Sequence, residues 1–145
     1  MRLKIRCLGH FDELFTSTNR IFEAMSQIEA GIIKRPELEI LDEDSEVCAH
    51  LALLGIEGNP RPIGWLVTKL GNENQSDYIA CKKSDVDKFI EDVMFCGAPE
   101  IIKNSAILDK QEAVSVAIFI IENDIGNRPY TLQTFREVFQ SLGKP

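Results

Sequence analysis

Leu3, Ile5 and Cys7 alternate with Arg2, Lys4 and Arg6, the period-two pattern of a half-buried strand over Arg2–Leu8 that Gly9 breaks. The period then lengthens. Ile21, Ala24, Met25 and Ile28 recur at helical spacing and predict a helix over Ser17–Ala30, stopped by Gly31, with Phe11, Leu14 and Phe15 packing where it begins. Glu37–Leu41 and Val47–Leu54 read as strands two and three, joined by the polar turn Asp42–Glu46 at hairpin spacing. Gly55–Pro62 is punctuated by two glycines and two prolines and reads as a loop. Ile63–Leu70, which carries the only tryptophan (Trp65), and Asp77–Cys81 read as strands four and five around a Gly71–Ser76 loop.

Asp85–Cys96 fits two patterns. Phe89, Ile90, Val93, Met94 and Cys96 suit a helix, and Val93–Cys96 equally suits a strand ending at Gly97. Asp109–Glu122 is the stretch around which the chain is organised. Asp109 with Glu112 makes a capping-box-like start, and Ala113, Val114, Val116, Ala117, Ile118, Phe119, Ile120 and Ile121 leave almost no polar face, so the helix must be covered on most sides. In Thr131–Gly143, the spacing of Leu132, Phe135, Val138, Phe139 and Leu142 predicts a final helix. The expected fold is α+β, a single domain over residues 1–145: an antiparallel sheet of about five strands, largely consecutive hairpins, with helices packed on one face.

Composition narrows the partners. With 16 Lys plus Arg against 23 Asp plus Glu, the net charge of −7 argues against a nucleic-acid binder, which needs cations to displace phosphate counterions. It suits a basic protein partner, and it equally suits ordinary solubility. Cys7, Cys48, Cys81 and Cys96 are far apart, form no C-x-x-C pair, and each sits in an apolar or strand-like run where a free thiol behaves as a small core residue. Residues 1–8 are too short and charged for a signal sequence, and no apolar run approaches a membrane span, so a reduced, cytoplasmic protein is expected.

Catalytic and cofactor signals are few. His10-x-Asp12 lacks a third ligand at a helpful spacing and His50 sits in an alternating strand, so both read as structural histidines and no metal is expected. A Cys nucleophile would require an exposed, activated thiol. The glycine loops match no phosphate-binding pattern, and Asp85, Asp87, Glu91 and Asp92 read as a solvated face. No catalytic residue and no cofactor are expected. One feature stands out. Glu37–Glu46 (ELEILDEDSE) holds six acids, Glu37, Glu39, Asp42, Glu43, Asp44 and Glu46, and no base. Four lie in the Asp42–Glu46 turn, where a local negative field would steer and orient a basic partner. The same turn also suits a simple soluble hairpin tip.

Taken in order, the early helix Ser17–Ile28, the ELEILDED hairpin, GWLVTKL, a Gly-Ala-Pro stretch, the apolar run into DKQEAVSVAIFIIEND and the GNRP turn resemble one family. It is the immunity-protein family of bacterial polymorphic toxin systems of the contact-dependent inhibition type, often paired with deaminase-type toxins. The matching positions are Gly97, Ala106–Leu108, Ala113, Ala117, Phe119, Gly126 and Pro129. Phe135 stands where the family has a terminal Trp, and the hairpin after the acidic strands is less glycine-rich. The family's terminal strand implies that the first residues of Thr131–Gly143 are extended.

The resemblance implies a non-enzymatic inhibitor that binds the toxic C-terminal domain of a cognate effector, a deaminase or nuclease, and occludes its active site. No nucleic acid or membrane is involved, and the chain would be a monomer or weak homodimer. The residues expected at the toxin interface are Asp42, Glu43, Asp44, Glu46 and Tyr130, the last following Pro129 in an exposed loop. Two other classes stand beside this one. One is a small-molecule-binding or enzymatic α+β domain with a pocket between sheet and helices. The other is an adaptor or oligomer-forming domain with a self-complementary apolar patch.

Overall fold

Local capping signals set where the two long helices start and stop. In a computed structural model that describes residues 2–42, 44, 49–71, 75–84 and 87–140, the elements in chain order are β1 (Leu3–Cys7), β2 (Phe11–Phe15), α1 (Thr18–Glu29), β3 (Glu37–Asp42), β4 (Ala49–Ile56), β5 (Pro62–Lys69), β6 (Tyr78–Lys82), β7 (Phe89–Phe95), β8 (Ala98–Lys103), α2 (Lys110–Ile121), β9 (Tyr130–Gln133) and α3 (Phe135–Val138). Ser17 caps α1 by accepting the Asn19 N–H. Gly31, at φ +75°, closes the helix: its N–H reaches the Ile28 carbonyl and the Ile32 N–H the Gln27 carbonyl. The Asp109–Glu112 capping box starts α2, and Asn123 at φ 57° ends it, with the Asp124 N–H bonded to the Phe119 carbonyl.

The fold is α+β with an antiparallel sheet ordered β2-β1-β3-β4-β5-β6-β9. β3 and β7 share one edge of β4. Glu37–Ile40 pair with Ala49–Ala52, and further along Gly55 and Ile56 pair with Met94 and Val93. β8 continues from β7, and Ile102 bridges Phe139. The sheet therefore branches at β4, and the β7–β8 hairpin folds across one of its faces. Leu108 takes the stretch of β5 edge that β6 leaves open, exchanging hydrogen bonds with Trp65 at 2.7 and 2.9 Å.

Strand alternation divides the interior in two. Leu51, Trp65, Val67 and Ala80 face α1 and α2 and pack with Ile21, Met25, Val116 and Ala117. Leu54, Leu66, Ile79 and Cys81 point the other way, where Val93, Ile102, Val138 and Phe139 cover them. Trp65 is fully buried; its indole N–H is satisfied by Glu29 of α1 at 3.0 Å, and Lys110 of α2 holds the same carboxylate at 2.7 Å.

Three expectations need correction. The described residues hold nine strands rather than five, because Phe11–Phe15, both arms of Phe89–Lys103 and Tyr130–Gln133 are extended. The helices do not all lie on one face: α1 and α2 share one, and α3 packs into the second core with the β7–β8 hairpin. The predicted tail helix is instead β9 followed by a single helical turn: Ile79–Lys82 pairs with Tyr130–Gln133 and takes those residues into the sheet, and a Thr134–Glu137 capping box starts α3 only afterwards.

Candidate interaction surface

Among the described residues, β7–β8 and α3 cover only part of the second sheet face. Beyond them, on β2, β1, β3 and the start of β4, that face carries Lys4, Arg6, Asp12, Leu14, Glu37, Glu39 and His50. The register explains the set. Leu3, Ile5, Leu38, Ile40 and Leu51 alternate into the main core, so their neighbours must point outward. The outward charges are paired across strands. Lys4 meets Asp12 at 3.3 Å, Arg6 meets Glu39 at 3.3 Å, and His50 Nε2 lies 3.1 Å from Glu37. These pairs are partly open to water, and the third is ionic only when His50 is protonated, so each contributes about 0–1 kcal/mol and the group shapes a polar surface more than it stabilises the fold. Two leucines stand among these charges: Leu8, 65% exposed in the β1–β2 turn, and Leu14, 45% exposed on β2.

The tip of the β7–β8 hairpin borders this surface. Cys96 and Gly97 both have positive φ, 49° and 86°, the geometry of a two-residue type I′ turn. The turn brings the Cys96 thiol 3.3 Å from the Glu37 carboxylate oxygen that also contacts His50. A polar cavity of about 190 Å³, lined by Arg6, Leu8, Arg35, Glu37, Glu39 and His50, opens on one side. A more apolar one of about 200 Å³ lies on the other, against Leu53, Met94 and Cys96. Partial burial, then the hydrogen bond and charge of Glu37, push the Cys96 thiol up to about 12, so it stays protonated at neutral pH and is held away from the thiolate form a nucleophile needs. Cys96 is exposed, which corrects its reading as a small core residue; Cys7 and Cys81 are buried, and Cys48 lies outside the described residues.

The acidic run divides by environment. Glu37 and Glu39 are drawn into the cross-strand pairs above. Asp42 is the last residue of β3, half-buried and opposite Leu3. Asp44 is an exposed turn residue, and Glu43 and Glu46 lie outside the described residues. Tyr130 is not in an exposed loop. It opens β9 opposite Lys82, half-buried against the main core, with its hydroxyl pushed up by burial and then by Glu112 and Asp109. Since β4, β5 and β6 separate β3 from β9, Asp42 and Tyr130 do not share a patch.

The other chemistry-bearing residues are dispersed. His10 is exposed in the β1–β2 turn, and Asp87 holds the Ser105 hydroxyl at 2.6 Å. Among the described residues no three His, Cys, Asp or Glu side chains gather in a metal-binding group, and no helix is long and apolar enough to cross a membrane. Sequence reasoning missed the β2 acids, and it read Leu14 as packing with Phe11 and Phe15, whereas Leu14 alternates outward and is 45% exposed. The signal was present in the alternation of Phe11, Glu13 and Phe15 with Asp12 and Leu14 immediately after Gly9.

No protein-family model, curated protein or solved structure matches the chain.

Proposed function

We propose that the chain is an immunity protein, a non-enzymatic inhibitor that binds a cognate toxin domain acting on nucleic acid and covers its active site. The observation that carries this reading is the outward face of β2, β1 and β3, where, among the described residues, paired polar side chains surround two exposed leucines. Large exposed apolar side chains rimmed by polar groups suit a protein partner. The net charge of −7 suits a basic one, as the groove of a nucleic-acid-cleaving or -modifying enzyme would be. The ordered landmarks from Ser17 to Phe135 that resemble the immunity family support the same reading. Between the sheet and α1 and α2, where the alternative places a small-molecule pocket, Leu51, Trp65 and Val67 are fully buried.

The test is co-expression with the C-terminal toxin domain encoded beside this chain, with a tag on one partner only. The expected result is a stoichiometric complex that restores host growth. Reversing Asp42, Glu43 and Asp44 together to Lys is expected to slow association about tenfold at low salt. An unprotected host and no co-purification would reject the immunity reading, whereas normal binding by the triple variant would remove the acidic turn from the interface.

A further inference from the structure

We propose that the free edge of β2 accepts an extended segment of a protein partner, which joins the sheet through backbone hydrogen bonds and places Lys or Arg opposite Asp12 and Glu13. β2 ends the sheet and, among the described residues, pairs with β1 alone. An antiparallel strand uses alternate residues for each neighbour, so the groups not bonded to β1 are directed at the open side. The edge is accessible along its middle: Asp12, Glu13 and Leu14 are exposed, and Phe11 and Phe15 anchor the two ends in the core. The other terminal strands are less open. β9 is half-buried throughout, and β8 is bridged to Phe139 at Ile102.

Charge selects the occupant. Antiparallel pairing of β2 with a second copy of itself, centred anywhere on Asp12–Glu13, sets Asp12 against Asp12, Asp12 against Glu13, or Glu13 against Glu13. Like charges directly opposite each other destabilise a strand pair, so the edge resists self-association. A basic strand meets the reverse condition. Asp12 is already paired with Lys4 and Glu13 with Arg20, yet 46% and 45% of the two side chains remain exposed, leaving each carboxylate room for a second cation. Leu14, on the same side of β2 as Asp12, gives the incoming strand an apolar contact. The acidic end of β3 lies on the same rung: Leu3 pairs with both Phe15 and Asp42, about 10 Å from β2 to β3 at two strand spacings. Asp42 thus adds a carboxylate two strands away from this edge, alongside Asp12 and Glu13. The inference deepens the inhibitor reading and takes from it only that the partner is a basic protein.

The experiment is amide hydrogen exchange of the full chain, resolved by NMR, with a millimolar peptide of about nine residues alternating Val and Thr around two central Lys. The expected result is about fivefold slower exchange at the outward amides of Phe11–Phe15. The same peptide with Glu for Lys gives no slowing, and the double variant Asp12→Lys/Glu13→Lys reverses the preference. Unchanged exchange with the basic peptide, equal slowing with both peptides, or slowing confined to β8 or β9 would each overturn the proposal. A toxin complex that protects the host while leaving β2 unprotected would overturn it and leave the inhibitor reading standing. Selective β2 protection by the basic peptide supports it even if the neighbouring toxin fails to bind.

Discussion

At the scale of single residues, the Trp65–Glu29–Lys110 chain links the sheet to both large helices. Trp65 has no other described partner for its indole N–H, and the Glu29 carboxylate reaches it with one oxygen while the other receives Lys110. Removing the acceptor leaves a buried donor unsatisfied, at a cost of about 1–3 kcal/mol. Glu29→Ala is expected to destabilise the protein by that amount. Glu29→Gln keeps an acceptor for Trp65 and loses only the charge on a partly exposed pair, so its cost should stay below about 1 kcal/mol. Urea unfolding of the two variants checks the order, and equal losses would show that the ion pair, not the indole bond, carries the energy. Gly64 illustrates another residue-scale constraint. A Cβ there would sit 2.7 Å from the Leu108 carbonyl oxygen, a backbone atom fixed by its bond to Trp65, so only glycine lets this segment lie against β5.

At the scale of elements, the β7–β8 hairpin decides how much of the second face is covered, and its turn is built from one favourable and one unfavourable residue. Type I′ geometry needs positive φ at both central positions, which Gly97 adopts freely and Cys96 only with strain. Cys96→Asn is expected to stabilise the protein by about 0.5–1 kcal/mol, since Asn tolerates this conformation. Gly97→Ala should cost about 1 kcal/mol. Thermal unfolding of both variants tests the assignment, and a destabilised Cys96→Asn would show that the thiol contact to Glu37 outweighs the strain. The strand pattern of β1, β3, β4, β5 and β6, the α1 cluster Ile21-Ala24-Met25-Ile28 and the Asp109–Glu112 box were legible in the sequence because each is a local signal. β9 was not. Its Leu132 falls in register with Phe135, Val138 and Phe139, and only the distant edge of β6 makes Tyr130–Gln133 extended. β7 and β8 were half legible: Gly97 marked the turn, but the short apolar run of β7 suits either period until β4 pairs with it. Of the candidate surface, the acidic run could be read directly. The open face could not, because which strands stay uncovered depends on where β7–β8 folds back.

At the scale of the whole molecule, charge and apolar anchors are expected to divide the work of binding. The negative balance acts through space and is screened beyond about 10 Å at 0.1 M salt, so it governs encounter more than residence. Leu8 and Leu14 act only on contact, by leaving water when a partner covers them. Neither is buried in the isolated chain, so truncating them should leave folding stability within about 0.5 kcal/mol. Leu14→Ala is therefore expected to raise the dissociation rate of the proposed toxin complex about tenfold with little change in association. Raising salt from about 0.05 to 0.5 M should slow association and leave dissociation nearly unchanged. Stopped-flow association and competition dissociation, measured on the same complex, separate the two effects. If Leu14→Ala left dissociation untouched while salt altered it strongly, the interface would be held by ion pairs, and the partner would sit over the acidic end of β3 rather than across the open sheet face.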